Sequence, residues 1–228
     1  MSIGCREVYA VSDQPVDRLV ATAHYMASQQ LVWGNSGNIS VKDEDTIFIS
    51  ASGTVLSIIE REEFVSCPLS GQPAHARWKP SKELPMHQAV YAERPDVQCV
   101  LHASPFYSTT VACSSIRLQK NTFVESMYYL FDVAQVDYQH PGTQALANAV
   151  REKASGTNVI LLKNHGVLVY DTSVREALAR LETLEIACRM TLLAQCGGFS
   201  LQEVPSEKVN GFIYDSGYKS VLPRGATR

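Results

Sequence analysis

The chain has no C-x-x-C pair, no basic stripe, no uncharged run of membrane-spanning length and no G-K-S or G-K-T triplet. Each absence closes off a class of protein. The six cysteines, Cys5, Cys67, Cys99, Cys113, Cys188 and Cys196, are scattered and lie mostly inside apolar stretches, so they read as small buried hydrophobes of a reducing compartment. With 20 Lys and Arg against 23 Asp and Glu, the formal charge is −3. No electrostatic footprint for nucleic acid is present. The missing G-K-[ST] rules out a nucleotide P-loop as the reason for the glycine-rich loops. The opening Met-Ser-Ile-Gly-Cys-Arg-Glu lacks a basic region followed by an apolar run, and the expectation is a cytoplasmic protein with no membrane partner. At 228 residues, without repeats or low-complexity linkers, one domain over 1–228 is expected, with a core at about 12–200 and a polar tail at about 201–228.

What is present alternates between two periodicities. Ser12 and Asp13 offer N-caps and Pro15 a first turn, and Val16, Leu19, Val20, Ala23 and Met26 recur at helical spacing to about Gln30. Small-residue loops at Gly34–Asn38 and Ala51–Thr54 flank short strands at 39–41 and 46–49, and 64–67 continues the sheet. Ser81 is expected to cap a helix running to about Arg94, with Leu84, His87 and Tyr91 on one stripe. Val97 to His102 reads as a strand with Val97, Cys99 and Leu101 on one face, leaving His102 and Ser104 to share the other. A further helix opens at Gly142-Thr143. Strands at 159–162 and 167–170 then enclose a Lys163-Asn164-His165-Gly166 turn, and a long helix follows from a Ser173/Glu176 capping box to Gly197-Gly198. This order lacks a regular βαβ rhythm, so an α/β sandwich with a largely antiparallel or mixed sheet fits better than a doubly wound parallel sheet.

Three stretches carry chemistry. Glu83 in K-P-S-K-E, His102 in C-V-L-H-A-S-P and His165 in K-N-H-G-V supply one carboxylate and two imidazoles, the donors of a divalent-metal site with an open coordination position. A lone strand histidine is ordinarily structural. His87, four residues after Glu83 on the helix stripe, is read as a packing or supporting residue rather than a ligand, and His24 and His75 as structural or solvated.

Taken together, G-N-S-G-N-I-S-V, S-A-S-G-T, K-P-S-K-E-L-P-M-H, Y-A-E-R-P-D-V-Q-C-V-L-H-A-S-P, H-P-G-T-Q-A-L and K-N-H-G-V-L-V-Y resemble the class II aldolase/adducin family. The resemblance implies a single-domain α/β/α layered sandwich with a mostly antiparallel central sheet, assembled as a homotetramer with active sites between subunits. It also implies a divalent metal, zinc first and manganese or cobalt as alternatives, held by His102, His165 and the position of Ser104. The family carries a third histidine there. Glu83 corresponds to the acid/base glutamate, and Glu125 lies near a second acid/base position used in the dehydratase branch. Gly37, Asn38, Ser52, Gly53, Ser81 and Lys82 match the loops that bind a substrate phosphate.

The activity implied is metal-dependent C–C cleavage, by aldol cleavage or decarboxylation, beside the carbonyl of a small phosphorylated hydroxy-carbonyl compound, through an enediolate. Ser104 keeps open a different reading, a degenerate adducin-like oligomer that binds without catalysis. A dehydratase or epimerase of the same family is a third.

Overall fold

The computed structural model describes residues 14–73, 77–219 and 221–223. Ser12, Asp13, Cys5 and His75 lie outside them, and the first helix, α1 (Pro15–Ser28), has Gln14 at its N-cap position, with no capping hydrogen bond from the side chain. The strands are β1 (Asn38–Asp43), β2 (Thr46–Ser50), β3 (Phe64–Pro68), β4 (Cys99–Ala103), β5 (Ala134–Val136), β6 (Val159–Leu162) and β7 (Gly166–Asp171). After α1 come helices α2 (Leu84–Glu93), α3 (Phe106–Ala112), α4 (Val124–Tyr129), α5 (Gln144–Ala154), α6 (Val174–Gly197) and α7 (Ser206–Asp215). None of the described helices is long and apolar enough to cross a membrane.

One sheet runs in the order β3-β2-β1-β4-β7-β6-β5. Every pairing is antiparallel except β5 with β6. That pair alone is joined by a helical crossover, α5, which returns the chain to the end of the sheet where it started and so makes the two strands parallel. The sheet is therefore mixed at one edge.

Alternation along the strands sorts the core into two layers. Cys99, Leu101 and Ala103 of β4, with Val167 and Val169 of β7, pack against α1, α3 and α6. Val100, Leu168 and Tyr170 point the other way, onto α2 and α5. Both faces are covered by helices, which is why β4 and β7 are buried at every position. His102 projects on the α2 side, from which Glu83 arrives.

Local signals set most boundaries. Thr143 accepts the Leu146 N–H at the start of α5, and Gly198, at φ 67°, ends α6 in the left-handed region. The expected Ser173/Glu176 box is half formed. Ser173 accepts the Glu176 N–H, while the Glu176 carboxylate is drawn away to Tyr129 and Lys219. Helix α2 starts later than expected, at Leu84, because the Ser81 hydroxyl accepts the N–H of Glu83 and holds 81–83 in a turn. The expected polar tail contains α7, whose Val209 and Ile213, one helical turn apart, bury against Met127, Tyr128 and Tyr129 of α4.

Candidate metal centre

Three separate segments deliver the site. Glu83 sits at the N-cap of α2, His102 near the end of β4, and His165 in the three-residue turn between β6 and β7. Asn164 takes φ 55° in that turn, a conformation asparagine tolerates. On the neighbouring strand Asn38 pairs in register with His102, so the two side chains leave the same face. Gly37, at φ 79°, brings the chain in at this point, and a Cβ there would stand 2.7 Å from the His102 carbonyl oxygen. No other residue fits.

The potential ligand atoms of Glu83, His102 and His165 all lie within 4.8 Å of one another. Glu83 Oε2 is 3.2 Å from His102 Nε2, and Oε1 is 3.3 Å from His165 Nε2. His102 Nδ1 donates to the Val167 carbonyl at 3.0 Å, since a carbonyl can only accept, and this bond turns the ring so that Nε2 is the nitrogen facing Glu83. Burial raises the Glu83 carboxyl, but His102, His165, the Asn38 amide and His87 outweigh it and hold the group below its ordinary value. His165 is lowered to about 4, mainly by burial and then by His102, with Glu83 opposing. At neutral pH a buried carboxylate therefore faces a neutral imidazole. Glu83 Oε1 and His165 Nδ1 have no hydrogen-bond partner among the described residues. An orphaned buried acceptor costs about 1–3 kcal/mol, and a cation among these three side chains would remove that cost. An ionised carboxylate and a neutral imidazole are the states in which Glu83 and His165 can bind a divalent metal, and the His102 Nε2 faces the same point, so the residues fit the ion.

Ser104 is buried two residues beyond His102. Its hydroxyl borders Gly166, which follows His165, and its carbonyl accepts the Trp33 indole N–H at 3.2 Å. A protonated hydroxyl is a weak ligand, so the strong donors are the three of Glu83, His102 and His165. The loops expected to bind phosphate converge nearby: the Ser52 N–H donates to Lys79, the Ser81 N–H donates to Ser50, and Ala51 bridges to Pro80. Lys82 is exposed beside them. Asn38 differs, because its side chain is committed to Glu83 and His87. That commitment could not be read from the sequence. The only hint was the Glu83 to His87 spacing. Glu125 is not brought to the triad; it is exposed in the first turn of α4, with Tyr218 in its field.

The histidines make a pH prediction. Burial, and to a lesser degree the His102 charge, lowers His87 from 6.5 to about 3, opposed by Glu83. In the unfolded chain His87 and His165 take up protons near pH 6.5, and in the folded chain only far lower. The unfolded state therefore binds more protons below that pH, and the stability these two contribute is complete above about 6.5 and lost as pH falls. Between pH 6.5 and 4.5, before Glu83 and most carboxylates titrate, urea melts in chelator should show falling stability. A flat profile over that window would contradict the assigned burial of both rings.

A family model for the Class II Aldolase and Adducin N-terminal domain matches residues 17–192. The L-fuculose phosphate aldolase of Methanococcus vannielii is 28% identical over 166 residues, covering 73% of this chain and 89% of that protein. The 3-oxo-tetronate 4-phosphate decarboxylase of Haemophilus influenzae is 27% identical over 168 residues, covering 71% of this chain and 79% of the relative. A solved L-fuculose 1-phosphate aldolase superposes with a TM-score of 0.79 at 26% identity, over 89% of this chain and 95% of that one.

Proposed function

The chain belongs to the class II aldolase and adducin family, and from that premise we propose that it is a metal-dependent lyase cleaving a C–C bond beside the carbonyl of a small phosphorylated substrate. The observation that carries this reading is the convergence of Glu83, His102 and His165 around an unsatisfied carboxylate oxygen. His102 and His165 would hold the ion with Glu83, zinc being the first choice for two imidazoles and a carboxylate. Such an ion supplies positive charge that lowers the energy of negative charge developing on a carbonyl oxygen.

The chain's own residues do the rest. Glu83, whose Oε1 has no hydrogen-bond partner among the described residues, takes the hydroxyl proton in aldol cleavage and returns it to the carbon left by the broken bond; in decarboxylation, where carbon dioxide leaves without giving up a proton, it relays one from water to that carbon. Ser52, Gly53, Ser81 and Lys82, with Gly37 and the backbone of Asn38, form the anion cradle, in which Lys82 adds charge, the Ser52 and Ser81 hydroxyls donate in place of their committed N–H groups, and the glycines let the anion approach the backbone. Ser104 lines the place of the missing imidazole. Glu125 is the second acid/base group, and from its exposed position it would serve the site of a neighbouring copy in a homotetramer. The expected setting is the cytoplasm.

Ser104 favours one other reading, a binding protein of the adducin type. Zinc-, manganese- and cobalt-loaded protein should be offered ketose 1-phosphates and phosphorylated 3-oxo acids, with released aldehyde and carbon dioxide measured. Metal-dependent cleavage of one class is the expected result. Bound metal with no turnover of either class would replace the lyase with the binding reading.

A further inference from the structure

Behind Glu83 lies a continuous buried chain of polar groups that the proposed reaction does not use. Asn38 and Ser40 alternate along β1, so both face α2, where His87 and Tyr91 stand one turn apart. Asn38 Nδ2 donates to Glu83 Oε2 at 2.8 Å, and Asn38 Oδ1 lies 2.6 Å from His87 Nε2. His87 Nδ1 is 2.7 Å from Ser40 Oγ, which is 2.9 Å from the Tyr91 hydroxyl. His87 and Ser40 are fully buried.

Only one direction of donation satisfies every member. A carboxylate only accepts, so Asn38 must turn its NH2 to Glu83 and its carbonyl to His87. His87 must then carry its hydrogen on Nε2. A neutral ring has one hydrogen, so Nδ1 accepts from Ser40, and the Ser40 oxygen accepts from Tyr91. Flipping Asn38 would set its carbonyl against the carboxylate and strand a buried acceptor. The chain thus ends on one oxygen of Glu83 and leaves the other free.

We propose that His87 is a positioning residue which, acting through Asn38, locks the Glu83 carboxylate with Oε2 held and Oε1 presented toward His165 and the metal position. The consequence for metal binding rests on the reading of the triad as a metal centre, whereas the hydrogen-bond direction does not. Partners of this kind behind a ligand commonly contribute 10- to 100-fold in affinity.

Nitrogen-15 NMR of the histidines in metal-free wild-type protein at pH 7 reads the direction itself. A neutral His87 with hydrogen on Nε2 is expected; hydrogen on Nδ1, or a charged ring, overturns the proposal. Zinc affinity by competition with a chromophoric chelator, and the visible spectrum of the cobalt form, read the consequence. His87→Leu should weaken zinc binding about 10- to 100-fold and alter the cobalt bands. His87→Gln, whose amide can donate from the place of Nε2, should restore both to within a few-fold. Unchanged affinity and spectrum in a folded His87→Leu, or a Gln variant as impaired as the Leu one, would overturn the proposal. If wild-type protein bound no metal, the lyase reading would fall, and the tautomer measurement would still decide the hydrogen-bond chain.

Discussion

Glu83→Gln is expected to lower kcat on the cleaved substrate by about two to four orders of magnitude, the span associated with losing a positioned acid/base group. Glutamine preserves the shape of the side chain and can still accept from Asn38, so the fold around the N-cap of α2 should survive. What disappears is the negative charge between two imidazoles and the basic oxygen Oε1. Zinc affinity should fall as well, because an amide is a weaker ligand than a carboxylate. Steady-state kinetics at saturating zinc separate the two losses: a deficit that excess metal does not repair belongs to proton transfer. A Glu83→Gln enzyme within threefold of wild type would remove Glu83 from the chemistry.

Removing the metal should destabilise the whole domain. An ion that binds only the folded chain, at a free concentration about 1,000 times its Kd, stabilises it by about 4 kcal/mol. For a domain of this size each kcal/mol shifts Tm by about 2–4 °C, so excess chelator should lower Tm by about 8–16 °C. His165→Ala should melt at one temperature with or without zinc. The turn carrying His165 is tied to β6 by its own N–H to Leu162, so this variant loses a ligand without unravelling the hairpin. Equal Tm values for zinc-loaded and chelated wild type would show that the triad is not a metal site.

Legibility in the sequence followed the range of the interactions involved. Strand β4 and helix α6 could be read because their apolar residues repeat within a few positions: Cys99 and Leu101 share one face of β4, and Ala177, Leu178, Leu181 and Leu184 recur at helical spacing. Helices α3 and α4 and strand β5 are too short to show a period, and they owe their form to packing against α6 and pairing with β6. Helix α7 buries only Val209 and Ile213, with Phe212 and Tyr214 packed partly against the same cluster, so composition made it look like tail. The triad of Glu83, His102 and His165 could be picked out by residue type and motif. Asn38 could not be assigned its part, because its contacts with Glu83 and His87 span 45 and 49 positions and exist only once β1 lies beside α2.

The lyase reading requires one divalent ion held by Glu83, His102 and His165. Crystals grown with excess zinc and measured on both sides of the zinc absorption edge would locate it. One strong anomalous peak per chain is expected, within bonding distance of Glu83 and of Nε2 of both histidines. No peak between those three side chains despite excess zinc, or zinc bound only elsewhere on the chain, would contradict it.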